Sequence, residues 1–221
     1  MLAADLSVPA GLTGVVAFAH GTGSSRLSRR NRAVAEILNE GGLATLLLDL
    51  LTAQEETADR ASSHLRFDIR LLAERLIAAV DWLTLAEHTR GLPVGCFGAS
   101  TGAAAALVAA ARRPEVVSAM VSRGGRPDLA GPALARVRAP TLLIVGGLDT
   151  TVIELNQEAF ALLPHEKRLA IVPGATHLFE EPGALEQVAE LARDWFARYL
   201  RPVAPPPEPD PRRPRGRPSG P

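Results

Sequence analysis

Short, almost wholly apolar runs alternate along this chain with segments whose apolar residues recur at helical spacing. The apolar runs cover residues 15–19, 44–51, 94–97, 117–121, 141–145 and 169–172. The helical segments cover residues 28–40, 68–85, 101–112, 129–136, 151–162 and 183–199. Strands that are apolar on both sides need cover on both faces of their sheet. The pattern therefore predicts a three-layer α/β fold: a mostly parallel sheet of about six to seven strands between helices.

The predicted elements fill residues 1–200, and a chain of 221 residues suits one domain with a single core. The loops between the elements are too short for a large cap domain. Residues 201–221 are rich in proline and arginine and hold almost nothing to bury, so we expect a disordered C-terminal tail.

Charge and composition exclude several classes of function. Lys plus Arg equals Asp plus Glu at 24 each, so no net charge favours a nucleic acid or a membrane as partner. Cys96 is the single cysteine, and no Cys/His spacing predicts a metal site or another cofactor site. The first residues lack the basic and apolar regions of a signal peptide. We expect a cytoplasmic protein with a small-molecule substrate, and the sequence leaves its oligomeric state open.

One serine lies between two glycines, where an apolar strand gives way to an alanine-rich helix. The stretch Gly98-Ala99-Ser100-Thr101-Gly102 is the one G-x-S-x-G motif in the chain. In this setting the motif forms a nucleophile elbow, a tight turn that needs small neighbours and exposes the serine hydroxyl at the edge of the sheet. The alternative interpretation of Ser100 is a helix N-cap.

A nucleophilic serine needs a base, and the base needs an acid to orient it. His177 follows the last predicted strand, and Asp149 follows the strand before it. The chain order Ser100, Asp149, His177 brings the three required residue types to the same edge of a parallel sheet. Taken singly, Asp149 could also be a helix N-cap and His177 an exposed loop residue.

The loop after the first strand, His20-Gly21-Thr22-Gly23, supplies the remaining element of the predicted site. A backbone amide of such a loop normally completes an oxyanion hole with the amide that follows the nucleophile. These would be the amides of Thr22 and Thr101. The rival interpretation is a phosphate-binding loop, but the stretch lacks the lysine of a P-loop and the spacing of a dinucleotide fingerprint.

With these marks, residues 14–200 resemble the α/β-hydrolase superfamily, and within it a dienelactone-hydrolase-like serine hydrolase. The resemblance rests on His20-Gly21, Ser100, Asp149 and His177. The dienelactone hydrolases proper use a cysteine nucleophile where this chain has Ser100, and many have a glutamate where it has Gly21. Because only a few residues precede the first apolar run, we expect the antiparallel strands at the edge of the full fold to be reduced or missing.

The expected function is cleavage of a small carboxylic ester or lactone through an acyl-enzyme on Ser100. Acyl transfer to another acceptor and simple binding of a small ligand stay as alternatives. Candidate pocket-lining residues are His20, Gly21, Gly23, Arg123 and Arg126. For Arg126 a surface ion pair with Asp128 is the competing interpretation, in which the pair holds the loop rather than a substrate.

Overall fold

The protein, described here as a computed structural model, is built on one seven-stranded sheet within residues 2–201. All neighbouring strands are parallel except the first, which pairs antiparallel with the third. The spatial order is β1-β3-β2-β4-β5-β6-β7. The strands are β1 (Ala4–Ser7), β2 (Gly14–Ala19), β3 (Leu43–Leu48), β4 (Val94–Ala99), β5 (Val117–Arg123), β6 (Thr141–Gly146) and β7 (Lys167–Val172).

Helices cover both faces of the sheet, which confirms the predicted three-layer α/β arrangement. They are α1 (Arg29–Glu40), α2 (Ala53–Ser62), α3 (Ile69–Leu83), α4 (Thr101–Arg112), α5 (Thr150–Leu162) and α6 (Ala184–Tyr199). Short 3-10 segments occupy Leu65–Phe67 and Pro127–Arg136. Helices α1 and α6 share one apolar core with the sheet, and α3, α4 and α5 share the other.

Side chains at the helix starts explain where several helices begin. Ser28 accepts a hydrogen bond from the backbone amide of Asn31, and Asp68 accepts one from the amide of Leu71. Thr52 and Glu55 form a reciprocal capping box at the start of α2. Each cap satisfies amides that have no partner inside the helix, which favours a start at that residue.

The structure adds β1, α2 and the 3-10 segment Leu65–Phe67 to the elements predicted from the sequence. Strand β1 pairs antiparallel with β3 and forms one edge of the sheet. Helix α2 occupies a segment for which the apolar pattern predicted nothing. The proline-rich tail that we expect at residues 201–221 lies, beyond Arg201, outside the described residues. Within residues 2–201, no helix combines the length and the apolar character needed to span a bilayer.

Candidate active site

Ser100 occupies a strained turn between β4 and α4. Its backbone has φ 51° and ψ −124°, and it is one of three residues other than glycine with positive φ between residues 2 and 201. Such a conformation costs on the order of 1–3 kcal/mol and persists only where the surrounding structure enforces it. The Ser100 side chain makes no capping hydrogen bond to α4. The geometry is that of a nucleophile elbow rather than of an N-cap.

The two glycines of the motif are sterically required. A Cβ atom on Gly98 would lie 2.7 Å from the backbone nitrogen of Ala103. A Cβ on Gly102 would lie 2.5 Å from the carbonyl oxygen of His20 and would also collide with that of Ala19. Real Cβ atoms do not approach backbone this closely, so β2, β4 and α4 can meet at the turn only if both residues lack side chains.

Asp149 and His177 form a short hydrogen bond at the same edge of the sheet. His177 Nδ1 lies 2.6 Å from Asp149 Oδ2, and the carboxylate can only accept, so the proton is on Nδ1. Asp149 precedes α5 but makes no capping hydrogen bond with its side chain. Its carboxylate is therefore committed to the imidazole.

Backbone contacts hold the loops of Asp149 and His177 together. The amide of Leu148 donates to the carbonyl of Ala175 at 2.9 Å, and the amide of Gly147 donates to that of Val172 at 2.8 Å. Phe179 is 2 % exposed and anchors the far side of the His177 loop. The pair is thus fixed by residues on both sides of it.

Ser100 and His177 line a common cavity of about 210 Å³, here called the Ser100 cavity. Within residues 2–201, no direct hydrogen bond joins the Ser100 hydroxyl to the imidazole. Catalytic hydrogen bonds are often long in a free enzyme and shorten when substrate is bound. The structure therefore brings Ser100, Asp149 and His177 to one site.

The two expected oxyanion-hole residues contact each other directly. The amide of Thr22 donates to Thr101 Oγ1 at 3.0 Å, and the two hydroxyls lie 2.9 Å apart. Thr101 is the first residue of α4, and within the described part of the chain its amide has no acceptor. The amide of Thr101 is thus available as an oxyanion donor, whereas that of Thr22 is occupied by a hydroxyl.

His20 has a structural role at the base of the first loop. The amide of Leu50 donates to its Nε2 at 3.0 Å, so the ring proton is on Nδ1, which donates to the carbonyl of Gly21 at 3.0 Å. Burial lowers the pKa of His20, although the Gly21 carbonyl and the charges of Asp49 and Glu56 oppose that shift. The neutral ring therefore joins the loop after β2 to the loop after β3.

A second cavity of about 230 Å³ lies on the other side of the first loop and is here called the His20 cavity. His20, Gly21 and Gly23 line it, and of these three residues Gly21 alone also lines the Ser100 cavity. Its charged residues include Asp59, which is 1 % exposed and paired with Arg66. Burial alone would raise the pKa of Asp59, but hydrogen bonds from Arg66 and the Leu65 amide lower it.

The two arginines proposed as pocket-lining residues differ in their surroundings. Arg123 lines the Ser100 cavity and is 7 % exposed. Arg126 lines neither cavity, because its guanidinium binds both carboxylate oxygens of Asp128 at 2.9 and 2.7 Å. The pocket-lining interpretation of Arg126 is corrected here: the pair fastens the loop after β5.

Arg30, Asn31, Ser24 and Ser28 also line the Ser100 cavity, although the sequence did not single them out. All four lie at or just before the N-terminus of α1. Their position after the loop that follows β2 could have indicated this, because a helix that begins after such a loop starts at the same edge of the sheet. Within residues 2–201, no group of three or more His, Cys, Asp or Glu residues is arranged to hold a metal ion.

The model of the dienelactone hydrolase family matches residues 3–202 of this chain. This chain belongs to the dienelactone hydrolase family. A crystal structure of dienelactone hydrolase from Anabaena variabilis ATCC 29413 is 63% identical, with a TM-score of 0.89. That match covers 90% of this chain and 93% of the Anabaena chain.

Two further proteins are similar to this chain, one in sequence and one in fold. A Mycobacterium tuberculosis H37Rv protein, provisionally named a phosphoribosyl transferase, is 61% identical over 199 residues. The match covers 90% of this chain but only 44% of that protein, so this chain spans less than half of its length. Est1E from Butyrivibrio proteoclasticus, solved with ferulic acid bound, has a TM-score of 0.74 at 19% identity. The match covers 90% of this chain and 95% of the Est1E chain, and at this identity it shows a shared fold alone.

Gly21 explains one departure from the dienelactone hydrolases proper. A Cβ at this position would lie 2.9 Å from the Cβ of Ser100 and 3.2 Å from the carbonyl oxygen of Ala99. The loop thus packs too closely on the elbow to accept a glutamate without moving. In this chain the first loop therefore packs against Ser100 through the backbone of Gly21, which has no side chain.

Proposed function

We propose that this protein is a serine hydrolase that cleaves a small carboxylic ester or lactone. The observation that carries the proposal is that the strained Ser100 lines the same cavity as His177, whose imidazole is hydrogen-bonded to Asp149. A residue that served only as a cap would not hold a positive φ at such a cost. Membership of a family of hydrolases supports the same conclusion.

The first half of the proposed reaction forms an acyl-enzyme. Ser100 Oγ attacks the carbonyl carbon while its proton passes to Nε2 of His177, whose Nδ1–H stays bonded to Asp149. The carbonyl oxygen becomes an oxyanion, which the free amide of Thr101 stabilises. The imidazolium then gives its proton to the alcohol oxygen as the carbon–oxygen bond breaks.

The second half releases the acid by hydrolysis. Water gives a proton to His177 Nε2 and adds to the acyl carbon, and the bond to Ser100 Oγ breaks as that proton returns to the serine. The Thr22 amide can join the oxyanion hole in either half if it exchanges the Thr101 hydroxyl for the substrate oxygen. Cavities of about 210 and 230 Å³ on the two sides of the loop suit a small substrate.

Acyl transfer to an acceptor other than water uses the same residues and remains the second candidate. Simple ligand binding is disfavoured, because a binding protein gains nothing from the strained serine and the oriented imidazole together. The name of the mycobacterial relative concerns a protein of which this chain matches 44%. That name therefore carries no conclusion about the activity of this chain.

The proposal is tested by a panel of p-nitrophenyl esters and small lactones of increasing acyl length. We expect turnover of the short substrates, and loss of that turnover in Ser100→Ala. Ser24→Ala is the matched control, since Ser24 lines the same cavity but has ordinary backbone geometry. Equal loss in both variants, or none in Ser100→Ala, would reject the assignment of the nucleophile.

A further inference from the structure

The Ser100 cavity holds a buried positive charge that no carboxylate neutralises. Arg123 is 7 % exposed, and no acidic residue among residues 2–201 forms a salt bridge with it. Its Nη2 donates to Asn31 Oδ1 at 3.3 Å, and its buried Nε has no partner in the described chain. Burying a charge without a counter-charge is costly, and a bound anion would offset that cost.

The fold places this guanidinium next to the nucleophile. Arg123 is the last residue of β5 and pairs in register with Ala99, the residue before Ser100. Its guanidinium carbon lies 5.9 Å from the ring centroid of Phe179, which supports it from the side of the His177 loop. The side chain is therefore held at the cavity wall rather than free to turn into solvent.

A second cationic element faces the same cavity. Arg30, in the first turn of α1, lines it. Burial, and to a lesser extent the charge of Arg30, lowers the pKa of Arg123 to about 10. Arg30 donates to the exposed Glu180 at 3.0 Å but keeps a buried Nε without a partner in the described chain. The N-terminus of α1, with no acidic residue in its first turn, adds the positive end of its dipole.

The two cavities beside the first loop differ in their charge. None of the residues that line the Ser100 cavity is acidic, and three of them besides Ser100, namely Thr22, Ser24 and Ser28, have hydroxyl groups. The His20 cavity contains Glu56 and Asp59 beside its arginines. An anionic group is thus attracted to the Ser100 side of the loop and not to the other.

We propose that Arg123, Arg30 and the N-terminus of α1 form an anion subsite that binds a phosphate group carried by the ester or lactone substrate. A phosphate monoester has nearly two negative charges and three acceptor oxygens, which match two guanidinium groups and neighbouring hydroxyls. A carboxylate has one charge and two oxygens and would leave donors of this site unused. The proposal rests on the proposed function, because it places the phosphate beside the acyl group that Ser100 attacks.

The test compares a phosphate-bearing ester with a neutral ester and a carboxylate-bearing ester of the same acyl length. We expect kcat/KM for the phosphate-bearing substrate to exceed that of the neutral one at least tenfold in the wild type. This ratio falls toward one in Arg123→Met, stays partly raised in Arg123→Lys and is unchanged in Arg126→Gln, the control whose side chain is paired with Asp128. A ratio of one in the wild type, a preference for the carboxylate, or an unchanged ratio in Arg123→Met would overturn the subsite.

A binding measurement separates the subsite from the reaction. Inorganic phosphate should bind the wild-type protein in calorimetry and should inhibit hydrolysis of the neutral ester competitively, while acetate does neither at the same concentration. This arm needs no variant to fold. Phosphate binding without turnover of any ester would support the subsite and reject the hydrolase activity. Ester turnover without inhibition by phosphate would support the hydrolase activity and reject the subsite.

Discussion

His177 Nδ1 lies 2.6 Å from Asp149 Oδ2, although the two residues follow different strands of the sheet. The other acids near this loop are engaged elsewhere: Glu180 pairs with Arg30, and Glu181 accepts from the hydroxyl of Thr176. Among residues 2–201, Asp149 is therefore the one acid that contacts the imidazole. The proposed role of Asp149 depends on the negative charge of its carboxylate and on its holding His177 in the tautomer with a proton on Nδ1.

Replacing Asp149 with asparagine should keep the fold and lower kcat on the order of 10⁴-fold, the loss seen for this change in a serine protease triad. Asparagine presents an amide that can donate to Nδ1 and so favours the wrong tautomer. The measurement is steady-state kinetics on a short p-nitrophenyl ester, with Asp128→Asn as control. Retention of more than about a tenth of kcat, while His177→Ala is inactive, would mean that the acid is another residue.

The hydroxyl of Thr101 should contribute to activity by holding the first loop. Thr101→Val removes the acceptor of the Thr22 amide and the contact between the two hydroxyls. We expect kcat/KM to fall on the order of tenfold, the equivalent of about 1.4 kcal/mol and of one or two net hydrogen bonds. Thr101→Ser keeps the oxygen and should restore most of the rate. A faster Thr101→Val enzyme would show instead that the hydroxyl blocks the oxyanion hole.

A single methyl group at Gly102 should displace the elbow. Its Cβ would collide with the carbonyl oxygens of Ala19 and His20, and overpacking of this kind costs about 1–3 kcal/mol. Because the strain falls beside Ser100, we expect Gly102→Ala to lose on the order of 10²-fold in kcat/KM. Gly91→Ala is the control, since that glycine has φ +81° and no atom within 4 Å of a new Cβ. Similar kinetic losses in both variants would contradict a specific role for the turn.

His20 should make the stability of the fold depend on pH. Its folded pKa is lowered from 6.5, so below about pH 6.5 the unfolded chain takes up a proton that the folded chain resists. The free energy of unfolding should therefore fall as the pH is lowered from 8 to 5, whereas above pH 7 this residue contributes no slope. His20→Asn should be less stable at pH 8 by about 1–2 kcal/mol, but this deficit should shrink at pH 5. Urea unfolding at pH 8 and at pH 5 measures this deficit in the free energy of unfolding. A deficit that is equal at the two pH values would contradict the structural role assigned to His20.

The sequence predicted those elements whose pattern reflects burial, and it missed those that are short or polar. The strand before Ser100 and the helix after it were recognised because one is wholly apolar and the other rich in alanine. Strand β1 has three of its four residues exposed, and α2 buries only Asp59, so neither has an apolar period. The capping box of Thr52 and Glu55 was the one sequence signal for α2.

The other residues that line the Ser100 cavity were less predictable than the proposed triad. Ser100, Asp149 and His177 are recognisable because the chemistry requires particular residue types after particular strands. Arg123 and Asn31 meet across 92 residues of sequence, and only packing shows that the arginine is buried without a salt bridge to any acid of the described chain. Whether Arg123 or Arg126 pairs with Asp128 likewise depends on loop geometry that no local pattern encodes.

The most direct test of the account is the site of covalent labelling by a fluorophosphonate, which reacts with a serine hydroxyl activated by a neighbouring base. Intact-mass and peptide mass spectrometry should find one adduct on Ser100 in the wild type. Ser100→Ala should show none, and His177→Ala should label far more slowly. An adduct on Ser24 or Ser25, or an active wild-type protein that takes no label, would contradict the proposal that Ser100 is the nucleophile.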